Sequence, residues 1–333
     1  MKLRKILATA AAVCMTASFI ACGTPQDNTE KEGKVKTSSS AADEKGTIAY
    51  SCYDLSYEYY ITLAKGVREA AEEAGYQYIE HDEQSDEATM ISGCMDLINQ
   101  GIDALILTAY KPEAATAIVD AAHAKEIPVI MVDFGSDELD YDALVESDNV
   151  KGGRMAAEYA LELLQDGSGS QKAGIITNDP SAGSYVRRDG FYDAMTEAGY
   201  EVVSELNAHS NADEAYSCMQ NMLTSNPDLE VVFCLNDSMA IAAAQAVADA
   251  GMKPGQDVVI LGFNADEAVF EPIQSGEVAC TIMQKPYEMG KMGVECFLNM
   301  QSGKEMKYDD PEKKIIWAPL EVISKENVAE YIG

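Results

Sequence analysis

Basic residues are scarce in this chain of 333, where 24 Lys+Arg face 56 Asp+Glu for a formal net charge of −32. Such a surface repels phosphate backbones and excludes a nucleic-acid partner. Histidine is almost absent: only His81, His123 and His209 occur, none beside an evident nucleophile. There is no Gly-x-Ser-x-Gly, no phosphate-binding Gly-rich loop ending in Lys-Ser or Lys-Thr, and no zinc-ligand spacing. No loop alternates Asp and Asn as a calcium site does. We therefore expect no catalysis, no metal and no cofactor. Beyond residue 22 no apolar run approaches the ~18–20 residues of a spanning helix. CxxC pairs are missing too. Of eight cysteines, the six that lie beyond residue 22 are scattered, several in apolar strings such as Val231–Leu235. They read as buried free thiols acting as small hydrophobes rather than as disulfides.

What is present describes a globular body with room for about two domains: 47% of residues are hydrophobic and 24% charged. The first residues carry three positive charges (Lys2, Arg4, Lys5), and Ile6–Ala21 carries none, which reads as an export leader. The junction Phe19-Ile20-Ala21-Cys22-Gly23 resembles a bacterial lipobox, with Phe19 and Ile20 where Leu and a small residue are usual. Cys22 is the expected lipid-bearing residue, and residues 23–46, rich in Ser, Thr, Lys and Glu, the expected flexible tether.

From Thr47 onward, short apolar runs alternate with helix-period stretches. Strands are predicted at Thr47–Cys52, Tyr76–His81, Ala104–Thr108, Val129–Val132, Ala173–Thr177, Glu201–Leu206, Val231–Leu235 and Val258–Gly262. Helices such as Tyr60–Ala74, Asp86–Gln100 and Glu113–Ala124 lie between them. Several helices end at a Gly suited to the left-handed cap (Gly75, Gly101, Gly199, Gly251). The fold class is α/β, with parallel sheets covered on both faces. The chain also repeats itself: residues 73–98 and 197–222 align without a gap at an offset of 124, with seven identities in 26 positions. Two similar Rossmann-like lobes imply a cleft, and ligands of open α/β sheets sit at the carboxyl ends of the strands.

Those ends carry a consistent set of groups. Tyr53, Tyr57, Tyr59 and Tyr60 follow the first strand, Thr108-Ala109-Tyr110 the third and Asp133-Phe134 the fourth. The second half supplies Ser184-Tyr185-Val186-Arg187-Arg188, then Asn236-Asp237, Phe263-Asn264, and Gln284 at an apparent crossover. Taken singly, the tyrosines read equally as packing, Asp133 and Asn236 as helix caps, and the arginines as surface charges. Together, aromatic faces with planar polar groups suit a sugar, whose C–H faces stack on rings while Arg forks onto paired hydroxyls.

At these positions the chain resembles the ribose-type periplasmic sugar-binding proteins of ABC importers. The resemblance rests on the aromatic pair followed by Gly66; Ile127-Pro128-Val129-Ile130 leading to Asp133; Ser147-Asp148-Asn149; Asn236-Asp237-Ser238-Met239-Ala240; Gly262-Phe263; and Thr281-Ile282-Met283-Gln284. It implies that Tyr59 and Tyr60 are the ring-stacking pair. By the same implication Asp133, Arg187, Asn236 and Gln284 contact ligand, and Phe263 is the aromatic of the second lobe. Departures are Phe134 where the family has Arg, Asn264 for Asp, Thr108 for Asn, and Tyr53 and Tyr57 for small polar residues. These point to a ligand other than plain ribose, such as a hexose, polyol, modified sugar or nucleoside.

The resemblance further implies three crossovers, which we expect near Asp148–Asn149, Met283–Lys285 and Pro311–Lys314. The first lobe would then comprise 47–148 and 284–311, and the second 149–283 and 312–333. It implies a monomer, held at the membrane by the lipid on Cys22, that closes on a sugar-like ligand and docks on an ABC permease. Two alternatives remain open at this stage: a sugar sensor presenting its closed form to a chemoreceptor or histidine kinase, and a binder of nucleosides or signalling molecules.

Overall fold

A computed structural model describes residues 45–164, 169–180 and 183–332. The leader and Cys22 lie outside the described residues. The first lobe opens with β1 (Thr47–Cys52), α1 (Glu58–Glu73), β2 (Gln77–Asp82), α2 (Glu87–Gln100), β3 (Ala104–Leu107), α3 (Thr116–His123), β4 (Val129–Asp133) and β5 (Ala143–Ser147). The chain then crosses to α4 (Asn149–Leu163), β6 (Lys172–Thr177), α5 (Arg187–Glu197), β7 (Glu201–Asn207), α6 (Ala212–Ser225), β8 (Val231–Cys234), α7 (Asp237–Asp249), β9 (Val259–Asn264), α8 (Glu267–Ser275) and β10 (Cys280–Gln284). It returns through α9 (Pro286–Gln301) and β11 (Ile315–Ala318) and ends with β12 (Leu320–Ser324).

The strands form two six-stranded sheets, ordered β11-β5-β4-β3-β1-β2 and β12-β10-β9-β8-β6-β7. The paired strands run parallel apart from β10 and β12. Each lobe is thus a doubly wound α/β unit, as the sequence pattern leads one to expect. Alternation along the strands feeds both faces of the first sheet. Ile48, Tyr50 and Cys52 join Ile106 and Val132 on the face shared with α1 and α9, while Ala49, Leu105, Leu107 and Met131 face α2 and α3. The second sheet is enclosed in one apolar core containing Phe191, Phe233 and Phe263. The repeat falls on equivalent pieces, β2–α2 in one lobe and β7–α6 in the other.

Glycines set the closest helix crossings. A Cβ on Gly66 of α1 would run into the Tyr287 carbonyl of α9, and one on Gly153 of α4 into the Arg187 carbonyl of α5. The six cysteines of the described region are free thiols, five buried and Cys218 half-buried.

The third crossover differs from expectation. Residues 311–314 stay with the first lobe: Lys313 pairs with Asp137 at 2.8 Å and Lys314 with Asp140 at 3.1 Å, and the Tyr141 hydroxyl donates to the Lys313 carbonyl at 3.0 Å. Pro311 begins a turn closed by the Asp310–Ile315 bridge, and β11 then pairs with β5. The chain crosses at Pro319, so residues 315–318 belong to the first lobe rather than the second. Among the described residues no helix is long and apolar enough to cross a membrane, and no cluster of His, Cys, Asp and Glu is placed to hold a metal.

Candidate functional site

A cavity of about 740 Å³ lies at the carboxyl ends of the strands, walled by residues of both lobes. On the first lobe, the β1–α1 loop and the start of α1 supply Tyr53, Tyr57, Tyr59 and Tyr60. Tyr53 stacks on Tyr60 with centroids 5.0 Å apart, and Tyr59 stands edge-on to Tyr60 at 5.1 Å. Tyr110 and Phe134 meet Tyr53 edge-on at 5.4 and 6.1 Å, extending the aromatic wall. Tyr57 is 54% exposed and forms its rim.

Asp133 ends β4 in the left-handed region, at φ 76°, which turns its carboxylate toward the tyrosines. Its Oδ1 accepts from the Tyr59 hydroxyl at 2.7 Å and its Oδ2 from Tyr60 at 3.2 Å. Burial raises its pKa above the ordinary carboxylate range, opposed by those two hydrogen bonds and by the charge of Arg187.

The second lobe answers with Arg187 at the start of α5, only 5% exposed. Its Nε donates to Asn149 Oδ1 at 2.8 Å, and its Nη1 donates to the Leu235 carbonyl at 2.9 Å and to Asn264 Oδ1 at 3.3 Å. The guanidinium lies 3.7 Å above the Phe263 ring. Burial draws its pKa down to about 10, so it stays charged at neutral pH. Gln284 donates from Nε2 to Asn264 Oδ1 at 2.9 Å, which ties the end of β10 to the end of β9. Asn236 caps α7, its Oδ1 accepting from the Met239 N–H and the Ser238 hydroxyl, both at 3.0 Å. Its cap role and its place on the cavity wall coexist.

Ten of the twelve residues singled out from sequence line this cavity; Thr108 and Phe263 do not. Thr108 is wholly buried, its hydroxyl hydrogen-bonded to that of Tyr50 at 2.9 Å, and Tyr110 takes the wall position in that loop. Phe263 is likewise buried because Arg187 covers its face; it is a platform for the guanidinium rather than a wall of the cavity.

Sequence reasoning missed Glu146, Asn149 and Asn178, which also line the cavity. Glu146 follows an apolar triplet on β5 and stands in register with Asp133, a break in pattern at a strand end that could have flagged it. Asn178 follows β6 directly, the position at which Asp133 and Asn236 were found by the strand-end rule.

Comparison with known proteins identifies the family and the fold. The sequence model of a family described as a periplasmic binding protein domain matches residues 48–305. The ribose import binding protein of Haemophilus influenzae is 31% identical over 290 residues, covering 86% of this chain and 94% of that protein. A crystal structure described as a periplasmic ribose ABC transporter from Conexibacter woesei superposes with TM-score 0.78 at 21% identity, covering 86% of this chain and 96% of that one. A carbohydrate transporter solute-binding protein from Agrobacterium radiobacter, in complex with D-arabinose, gives TM-score 0.69 at 27% identity, covering 86% and 96%. The chain therefore belongs to the periplasmic binding protein family, and like the relatives it matches it is a binding protein rather than an enzyme.

Proposed function

We propose that this member of the periplasmic binding protein family captures a sugar or sugar-like ligand between its lobes, outside the cytoplasm, and delivers it to an ABC permease. The observation that carries the reading is the convergence of Tyr59, Tyr60 and Asp133 from one lobe with Arg187, Asn236 and Gln284 from the other on one cavity. The rings offer stacking faces, Asp133 is an acceptor held by two tyrosines, and the Nη2 arm of Arg187 is left for paired hydroxyls. The relatives named for ribose and D-arabinose support a monosaccharide.

Such a ligand touches both lobes only when they close, and so has the differential affinity that stabilises the closed state. The hinge comprises three crossovers, at Asp148, Lys285 and Pro319. The second and third are clasped by a Lys285–Glu321 ion pair at 2.6 Å, and Asn149, one residue past the first, grips Arg187. The lipid on Cys22 would hold the body at the outer face of the membrane within reach of the permease.

The test is a thermal-shift panel of pentoses, hexoses, polyols and nucleosides on the purified protein, followed by calorimetry. A ligand at 100 times its dissociation constant adds about 2.7 kcal/mol of stability. The expected result is a clear shift with one sugar class, lost in Arg187→Ala and weakened about tenfold or more in Asp133→Asn, whose side chain tolerates the left-handed backbone. A folded protein silent to every sugar overturns the reading; a nucleoside as sole hit replaces it.

A further inference from the structure

One carboxylate on the cavity wall is left without a partner among the described residues. Glu146 lines the wall beside Asp133 on the neighbouring strand, and no hydrogen bond or ion pair reaches its carboxylate among the described residues. Lys313, the base whose charge acts on it, is engaged by Asp137 at 2.8 Å. Across the cavity Asn178, 5% exposed, donates from Nδ2 to the Ser184 hydroxyl at 2.6 Å and leaves Oδ1 buried with no partner. Glu113 adds a third carboxylate at the mouth, so three acids share the wall with one guanidinium. The guanidinium already donates three hydrogen bonds within the protein.

A neutral hydroxyl can donate to the Glu146 carboxylate but leaves its charge uncompensated. A half-buried carboxylate facing no cation is costly to keep ionised, and burial holds the Glu146 pKa up at about 7. A protonated amine has three N–H donors and no acceptor, the complement of these unpartnered oxygens. The rings around it, Tyr53, Tyr57, Tyr60, Tyr110 and Phe134, present faces that attract a cation once water is excluded.

We propose that the ligand class is a sugar or cyclitol bearing a protonated amine, with Glu146 as the specificity-determining carboxylate. The inference rests on the sugar-binding reading above and narrows it. It needs no new pocket, only the carboxylate already on the wall of this one.

The experiment is calorimetry at pH 7 with matched pairs: glucosamine, galactosamine, mannosamine and an inosamine, each beside its hydroxyl counterpart and, for the hexosamines, the N-acetyl form. The expected result is at least one amine bound about tenfold or more tightly than its hydroxyl counterpart, a preference lost on N-acetylation and reduced about tenfold in Glu146→Gln. The pairs on the unaltered protein decide the matter even if that variant fails to fold. A neutral sugar bound as tightly as its amine overturns the inference and leaves the sugar-binding reading standing. A preference that survives Glu146→Gln removes Glu146 from the role. Silence from sugars of both kinds on a folded protein overturns reading and inference together.

Discussion

Asp237 illustrates how a single buried group sets a property of the whole protein. It is wholly buried at the start of α7, accepting from the Thr281 hydroxyl at 2.6 Å and the Asp266 N–H at 2.8 Å. Burial raises its pKa to about 8, and raises those of Glu83 and Glu146 to about 7. A folded state that holds these protons more tightly than the unfolded chain, whose carboxyls titrate near ~4, gains stability that is complete below that value. The gain is lost as pH rises through 7 and 8. The thermal midpoint should therefore fall as pH rises from about 4 to about 8 and level off above that. Asp237→Asn copies the protonated acid, donating to Thr281 while still accepting from Asp266, and should flatten that fall. A variant whose midpoint runs parallel to the parent across the range would rule Asp237 out as the cause. The site was readable in sequence wherever polar or aromatic residues stood at or shortly after a strand's end, as at Asp133 and in the stretch after β1 that carries Tyr60. It was not readable at Phe263, because only the fold brings Arg187 of α5 across the ring at the end of β9.

At the scale of elements, α4 and α5 cross where Gly153 meets the Arg187 backbone, as α1 and α9 cross where Gly66 meets Tyr287. Alanine at either position forces the helices apart, an overpacking that costs about 1–3 kcal/mol. The two sites differ in what moves. Gly153→Ala displaces the residue that carries the guanidinium and should weaken ligand binding as well as urea stability. Gly66→Ala should cost similar stability and leave binding nearly intact. Equal losses of affinity in both would mean that the crossing does not position Arg187. The β–α rhythm was legible because both faces of each sheet are covered, making the strands continuous apolar runs. β11 and β12 escaped notice because edge strands such as Ile315–Ala318 and Leu320–Ser324 are short and lie either side of a proline. Pro311 drew the third crossover to the wrong place, since a proline marks a turn equally well within a lobe as between two.

Across the whole molecule the excess of acid dominates. A net charge of −32 sets like charges against each other over the compact surface. The exposed ion pairs, such as Arg154–Glu197 and Lys172–Asp228 at 2.8 Å, return little. Raising salt from 0.05 to 0.5 M shortens the screening length several-fold, to a few ångströms, and should raise the thermal midpoint in sodium chloride. A fall would mean that the local pairs outweigh the global repulsion. The same charge keeps the protein from anionic surfaces, so the lipid proposed at Cys22, rather than electrostatic attraction, would bring it to a membrane.

The order of strands has a consequence for how the chain matures in time. The first lobe starts at residue 47 yet lacks α9 and β11 until residue 318 has been made, whereas β6 to β10 of the second lobe come from one uninterrupted stretch. The half that is synthesised first is thus not completed until nearly the whole chain exists. A nascent chain so built stays short of its native state until almost all of it exists, which keeps it threadable for the export proposed above. Trp317, the sole tryptophan, sits on β11 beside β5, so its fluorescence marks the completion of the first sheet.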